Sequence, residues 1–453
     1  MLRAVASKQL RRGLATQVSG SLAPEISQLS NGVVVATEPN TSSSTASVGV
    51  VFGSGSSSEN PYNNGISNLL SKTYKSTENR ANAATKGVEV VSKVGREYQS
   101  YLVNSLPGQL SKSFDILNST VLGNPTGSDK VFEQTKSNVL KQIEHFEETN
   151  HKGRVLEHLH ATAFQNTPLS LPIRGTTESV DGLLRGDLEE FVNQHFISSN
   201  AVIVGTGNIS HQELCELVEK SSLKFNSTTK AKPEANKKST FLGSEIRLRD
   251  DTLPKAWISI AAEGEALTSP DYLVSQVAAQ VFGSYNAAEP NSRLQGIKLL
   301  DDIQEYQLCD DFDHFSLSYR DSGLWGFVTT TQNVGSIDDL MHFVLKQWNR
   351  LTISVTETEV ARGKAMLKLK LANEACKKNC HIASDLGNLV LNQGVKFNQD
   401  EIFRKIDAIT VKDVKAWAGK KLWDQDIAIA GTGQIEGLFD YMRLRNDMSM
   451  MRW

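Results

Sequence analysis

At 453 residues and a formal net charge of −3, the chain is long enough for two or three domains that each bury a core, and it lacks the positive excess that suits nucleic acid. Apolar residues are 39% and charged residues 22%, the balance of an ordinary globular fold. No apolar run approaches the roughly 18 residues of a membrane-spanning helix, so work at a membrane would pass through partners.

The first stretch, residues 1–24, differs from the rest. It carries Arg3, Lys8, Arg11 and Arg12, no acidic residue, and an apolar set of Leu2, Val5, Leu10 and Leu14. A basic, Ser-containing, acid-poor amphipathic segment has the profile of a mitochondrial transit peptide, with a cleavage neighbourhood near Arg12–Thr16. Residues 32–38 then alternate as a strand, and residues 46–50 form a second. The glycines of Gly53-Ser54-Gly55 lack the third Gly of a dinucleotide fingerprint and the Gly-Lys-Ser/Thr of a phosphate loop, and read as a strand-end turn. No Gly-x-Ser-x-Gly elbow marks a serine hydrolase.

Next comes a helix. Ile66, Leu69, Leu70 and Tyr74 share one helical face, and Gly65 suits a tight entry. Further on, Glu147 and Glu148 read as a solvated helical face. His158 and His160 are two residues apart, so they point to different sides of a helix and are expected to be packing or surface residues.

The two halves repeat each other. Residues 180–209 align without a gap to residues 406–435, an offset of 226, so that Asp187 matches Asp413, Phe191 matches Trp417, and the Gly205-Thr206-Gly207 strand end matches Gly431-Thr432-Gly433. Ala46-Ser47-Val48-Gly49-Val50 likewise parallels Ala256-Trp257-Ile258-Ser259-Ile260. Each half reads as strand, strand, helix, helix, strand, two or more helices, helix, strand, helix. Strand runs beside helix runs predict two α+β domains, with helices packed on a mostly antiparallel sheet. The expected boundaries are 25–225 and 241–453, joined by a polar, Lys-rich, Pro-broken linker at 226–240.

Four cysteines, Cys215, Cys309, Cys376 and Cys380, are too few for a disulfide framework and fit a reducing compartment. Cys376 and Cys380 stand at i, i+4 with His381 alongside, yet no second pair completes a metal site. They are expected to be free thiols on a long helix. The end of the chain, residues 441–453, gathers Met, Arg and Trp453, types enriched at interfaces.

Several separate motifs in order, at residues 29–38, 47–50, 52–56, 59–65, 159–167, 243–254 and 321–326, carry a resemblance. From about residue 20 onward the chain resembles the M16 (pitrilysin-like) metallopeptidase superfamily. The resemblance is to its mitochondrial branch, which contains the processing peptidase and the core proteins of ubiquinol–cytochrome c reductase. It implies two homologous halves closing like a clamshell. It also implies an inverted zinc motif, H-x-x-E-H, on the helix after Gly65, in which two His reach one ion and the Glu activates its water. The corresponding positions here hold Asn68, Ser71 and Lys72: an amide, a neutral hydroxyl and an ammonium. The family's third ligand would fall near Glu147 or Glu148, and a lone carboxylate does not restore the site.

The resemblance therefore implies a structural subunit without catalytic, metal or cofactor residues. It would sit on the matrix side of the mitochondrial inner membrane in complex III. It would pair there with core protein 2, cytochrome b, the haem-bearing cytochrome and the iron–sulfur subunit, in a complex that is itself dimeric. The alternative is a non-catalytic presequence-binding subunit of a processing peptidase. Against it, residues 282–294, which match that subunit's Gly-rich loop, contain only Gly283.

Overall fold

The computed structural model describes residues 24–29, 32–220, 237–290, 292 and 295–450. Residues 1–23 of the expected leader, 226–236 of the expected linker, Arg293, Leu294 and the last three residues of the tail lie outside that set. The first half runs β1 Glu25–Gln28, β2 Val34–Pro39, β3 Ala46–Phe52, α1 Ile66–Tyr74, α2 Thr77–Thr85, β4 Glu89–Val94 and β5 Gln99–Ser105. It continues with α3 Leu110–Leu117, α4 Asp129–Thr149, α5 His151–Ala163, α6 Thr177–Gly182, α7 Arg185–His195, β6 Ala201–Gly207 and α8 His211–Lys220. The second half runs β7 Ser244–Arg249, β8 Ala256–Glu263, α9 Tyr272–Phe282, β9 Ser284–Asn286, α10 Lys298–Glu305, β10 Asp311–Ser318 and β11 Gly323–Thr331. It ends with α11 Ile337–Ile353, α12 Glu357–Ala375, α13 Asn379–Gln393, α14 Gln399–Ala408, α15 Val411–Lys421, β12 Ile427–Gly433 and α16 Tyr441–Met450.

Each half builds a six-stranded sheet, ordered β1-β2-β6-β3-β5-β4 in the first and β7-β12-β8-β11-β10-β9 in the second. One pair in each is parallel, β2 with β6 and β7 with β12, and every other pair is antiparallel. This is the α+β architecture the sequence predicts, with one difference in detail. The middle strand expected in each half is a hairpin, β4–β5 and β10–β11. In the first, the Gly95 N–H donates to the Tyr98 carbonyl at 2.9 Å and closes a turn carrying Arg96 and Glu97. Strand β5 is buried almost throughout, so it lacks the alternation that would have separated it from its neighbour.

The internal repeat is real at the level of bonds. α7 and α15, and β6 and β12, begin and end at positions 226 residues apart. Asp187 accepts from the Leu184 N–H at 2.8 Å and Asp413 from the Thr410 N–H at 2.7 Å, so the matched aspartates close the same helix start. Phe191 and Trp417 both enter their own half's core.

The halves are joined by an exchange of helices. α5 of the first half lies on the second sheet, where Val155, Leu159 and Ala163 meet Ala261, Ala428 and Ala430. α13 of the second half lies on the first sheet, where Ala383, Leu386 and Val390 meet Val51, Leu102 and Val202. Each sheet is thus covered on both faces, its own helices on one and a borrowed helix on the other. That explains why β3, β6 and β12 are buried along their whole length. Cys376 and Cys380 consequently do not share one long helix. Cys376 caps the end of α12 and is exposed, whereas Cys380 is buried on α13 against the first sheet.

A polar network accompanies the exchange. The Arg96 guanidinium, buried in the β4–β5 turn, pairs with Glu157 of α5 at 2.5 Å and donates to the Leu169 carbonyl at 3.3 Å. His160 is buried as well. Its Nδ1 donates to the Leu156 carbonyl at 2.6 Å, so its Nε2 accepts from the Tyr319 hydroxyl at 2.7 Å. Burial first, and then Arg96, hold His160 well below the usual imidazole range, in keeping with this neutral tautomer. His160 is a bridge between halves, while His158 is only partly buried on the same helix.

Candidate functional site: the outer face of helix α1

Helix α1 starts from Gly65, whose φ of 102° places it in the left-handed region that glycine tolerates. A Cβ there would stand 2.6 Å from Val180 and 3.2 Å from Gly175, so space also demands glycine. The free N–H groups of the first turn are met by Glu59. Its carboxylate, 8% exposed, accepts from Gly65 N at 2.8 Å, Ser67 N at 2.7 Å and the Asn64 amide at 2.8 Å. Burial raises the Glu59 pKa, and these donors oppose the rise. The apolar face is as predicted: Ile66, Leu69, Leu70 and Tyr74 are buried, and the Tyr74 hydroxyl donates to the Leu102 carbonyl at 2.9 Å.

The other face gathers the three residues singled out from the sequence. The Asn68 amide donates to the Arg174 carbonyl at 3.2 Å. Ser71 is buried against Ser92 of β4. The Ser92 hydroxyl donates to the Ser71 carbonyl at 3.0 Å, which leaves the Ser71 hydroxyl to donate to the Ser92 oxygen at 2.7 Å. Lys72 is half-buried; burial lowers its pKa, and Arg174 and Arg80 lower it further. One turn on, the Lys75 ammonium donates to the Ser92 carbonyl at 3.2 Å and is pulled down to about 8 by burial and by Lys72 and Arg80. Thiolate, imidazole and carboxylate, the groups that bind zinc, are absent from this row of side chains.

Glu147 and Glu148 are exposed near the end of α4, and neither bonds to Asn68, Ser71 or Lys72. Among the described residues no three His, Cys, Asp or Glu side chains are grouped to hold a metal ion. The Gly-Thr-Gly runs end β6 and β12. Gly207 and Gly433 take φ of 91° and 87°, and a Cβ on either would stand within 2.3 Å of a carbonyl of the facing loop. Sequence reasoning missed two residues that shape the site. Glu59 was visible as a carboxylate shortly before a glycine-led helix, a signal for an N-terminal acceptor. Arg174 carries no local signal, because it reaches α1 from a loop more than 100 residues away.

The chain belongs to peptidase family M16. The family profile for Insulinase (Peptidase family M16) matches residues 34–177, and that for the Peptidase M16 inactive domain matches residues 183–367. Within the family, the chain is 62% identical over 460 residues to the mitochondrial cytochrome b-c1 complex subunit 1 of Saccharomyces cerevisiae, covering 100% of both chains. It is 36% identical to the mitochondrial-processing peptidase subunit beta of Neurospora crassa, over 97% of this chain and 94% of that one. Its fold matches a chain of complex III2 from Candida albicans with a TM-score of 0.87 at 39% identity, covering 94% of this chain and 100% of that one.

Proposed function

We propose that this chain is a non-catalytic core subunit of mitochondrial ubiquinol–cytochrome c reductase, of the subunit 1 kind. The observation that carries the reading is the 62% identity to a complex III subunit over the whole of both chains, against 36% to a processing peptidase subunit. The side chains agree with it. Asn68, Ser71 and Lys72 occupy the degenerate zinc-motif positions, and the face they share is cationic where a peptidase would hold a dication.

The subunit supports assembly and stability of the complex during respiratory electron transport, while the cytochromes and the iron–sulfur subunit carry the electrons. Its partners are the other subunits of complex III: core protein 2, cytochrome b, the haem-bearing cytochrome and the iron–sulfur protein. Among the described residues no helix is long and apolar enough to cross a membrane. In this reading the subunit is held by those partners, on the matrix face of the inner membrane. The mature chain comprises the halves 25–225 and 241–453, joined by 226–240, after loss of the 1–24 leader.

Native purification from detergent-solubilised mitochondria, with partners identified by mass spectrometry, tests this. Recovery with cytochrome b, the haem-bearing cytochrome and a second core-like chain is the expected result. Recovery instead with a soluble zinc-bearing processing subunit would replace the reading with that of a presequence-binding subunit. The 36% identity favours that second reading, and the single glycine in residues 282–294 weighs against it.

A further inference from the structure

The two halves also meet tip to tip. Residues 95–98 turn from β4 into β5, and residues 319–322 turn from β10 into β11, where the Tyr319 N–H donates to the Ser322 carbonyl at 2.8 Å. Glu97 of the first tip accepts the Arg320 N–H of the second on both carboxylate oxygens, at 3.0 and 2.9 Å. Its neighbour Arg96 meets α5 through Glu157, and Tyr319 meets α5 through His160. The tips therefore hold each other directly and also share the helix that the first half lends to the second.

Charged and titratable groups reach this contact from each element packed there. Arg96 is paired with Glu157, and His160 is held neutral by burial and by Arg96. Burial pushes the Tyr319 hydroxyl up to about 12, so it keeps its proton. Asp385 of α13 pairs with Lys93 of β4 at 3.3 Å. That leaves Glu97 facing Arg320, which attracts a charge on it, and Asp321, which repels one. Among the described residues, the hydrogen bonds to the Glu97 carboxylate come from the Arg320 N–H alone. An ionised carboxylate accepts that bond more strongly, yet one donor does not offset the water it gives up in the seam. Burial outweighs the bond, and the proton stays on up to about pH 7.

We propose that the contact between the β4–β5 turn and the β10–β11 turn is a pH-sensitive latch across the seam of the two halves. It is closed while Glu97 carries its proton, and the tips part locally as that proton leaves. The exchanged helices α5 and α13 stay in place, so one corner of the seam loosens and the halves remain joined. The latch is independent of the role in complex III.

The sign follows from the two forms. With the tips parted, Glu97 returns to water and loses its proton near pH 4.5; with the tips closed it keeps the proton to about 7. Parting is therefore favoured progressively as pH rises between those values and changes little above them. From pH 6 to pH 8 the parted form gains about tenfold on the closed one.

Hydrogen exchange on the full chain tests this, read by mass spectrometry as protection factors corrected for the pH dependence of free-amide exchange. Protection over residues 317–323 is expected to fall about tenfold from pH 6 to pH 8. Low urea should leave it unchanged, the mark of a local opening that exposes little surface, whereas protection of β6 should fall with urea as global unfolding does. Glu97→Gln keeps an acceptor and should make the protection over 317–323 level with pH. Asp321→Asn removes the repulsion and should shrink the fall. Protection over 317–323 that does not change with pH, a fall that survives Glu97→Gln, or a urea dependence as steep as that of β6 would overturn the proposal.

Discussion

Glu59 and Glu97 are acids that the fold uses as acceptors, with opposite consequences. Glu59 holds three donors at the start of α1 inside the core. Glu59→Ala leaves them unpaired, at about 1–3 kcal/mol for each buried group that water does not reach. Urea titration should show a loss of several kcal/mol with an unchanged m-value. Glu97, in the β4–β5 turn, accepts from the Arg320 N–H with both oxygens, at 3.0 and 2.9 Å. Burial pushes its pKa up to about 7, the Arg320 bond opposes the rise, and Asp321 adds to it. The folded protein therefore holds this proton at pH values where the unfolded chain, at about 4.5, has lost it. Stability falls as pH rises from about 4.5 to about 7 and is level in this respect above that. Glu97→Gln keeps an acceptor and removes the ionisation. Its Tm should match the parent near pH 4.5 and exceed it at pH 8, and a Tm difference that does not change with pH would contradict the assignment. Asn68, Ser71 and Lys72 were legible because the resemblance to the M16 family sets them at the positions of its H-x-x-E-H motif. The acceptor roles of Glu59 and Glu97 depend on which backbone N–H groups arrive beside them, and no local pattern records that.

Helix α13 shows what periodicity tells and what it withholds. Cys380, Ala383, Leu386 and Val390 mark a buried face, which a sequence can display. That the face belongs to the other half's sheet is a matter of topology, absent from the pattern. The repeat, the strand–helix order and the match of Asp187 to Asp413 were legible for the opposite reason: each is local, or is copied at a fixed offset. Gly387 sits where α13 comes closest to β3, and a Cβ on it would stand 2.4 Å from a Val51 methyl. Alanine is the better helix former by about 1 kcal/mol, so propensity alone predicts that Gly387→Ala stabilises. Contact decides instead. A buried methyl facing an all-buried strand forces the helix away from its sheet, at roughly 1–3 kcal/mol. Gly387→Ala should lower the denaturation midpoint, and the loss should disappear with Val51→Ala alongside it, a coupling that a double-mutant cycle measures.

Across the whole molecule, the exchange of α5 and α13 makes each half depend on the other for one covered sheet face. The proposed linker at 226–240 joins the halves covalently, but the two borrowed helices, α5 and α13, lie well away from it in sequence. Cutting the linker should therefore not separate the halves. With a specific protease site inserted near residue 230, the cleaved chain should elute as one species in size exclusion and melt in a single transition. Residues 25–225 made alone would leave Val51, Leu102, Val202 and Val204 of the first sheet without α13, an exposed apolar patch that drives aggregation. Co-expression with residues 241–453 should restore solubility, because each fragment then supplies the helix the other lacks. Fragments that part after cleavage, or a first half that folds unaided, would mean that the borrowed helices add little and that the halves move as separate bodies. The interlocked arrangement suits a subunit whose contribution is mechanical. A core subunit holds its neighbours best when neither half can leave the other.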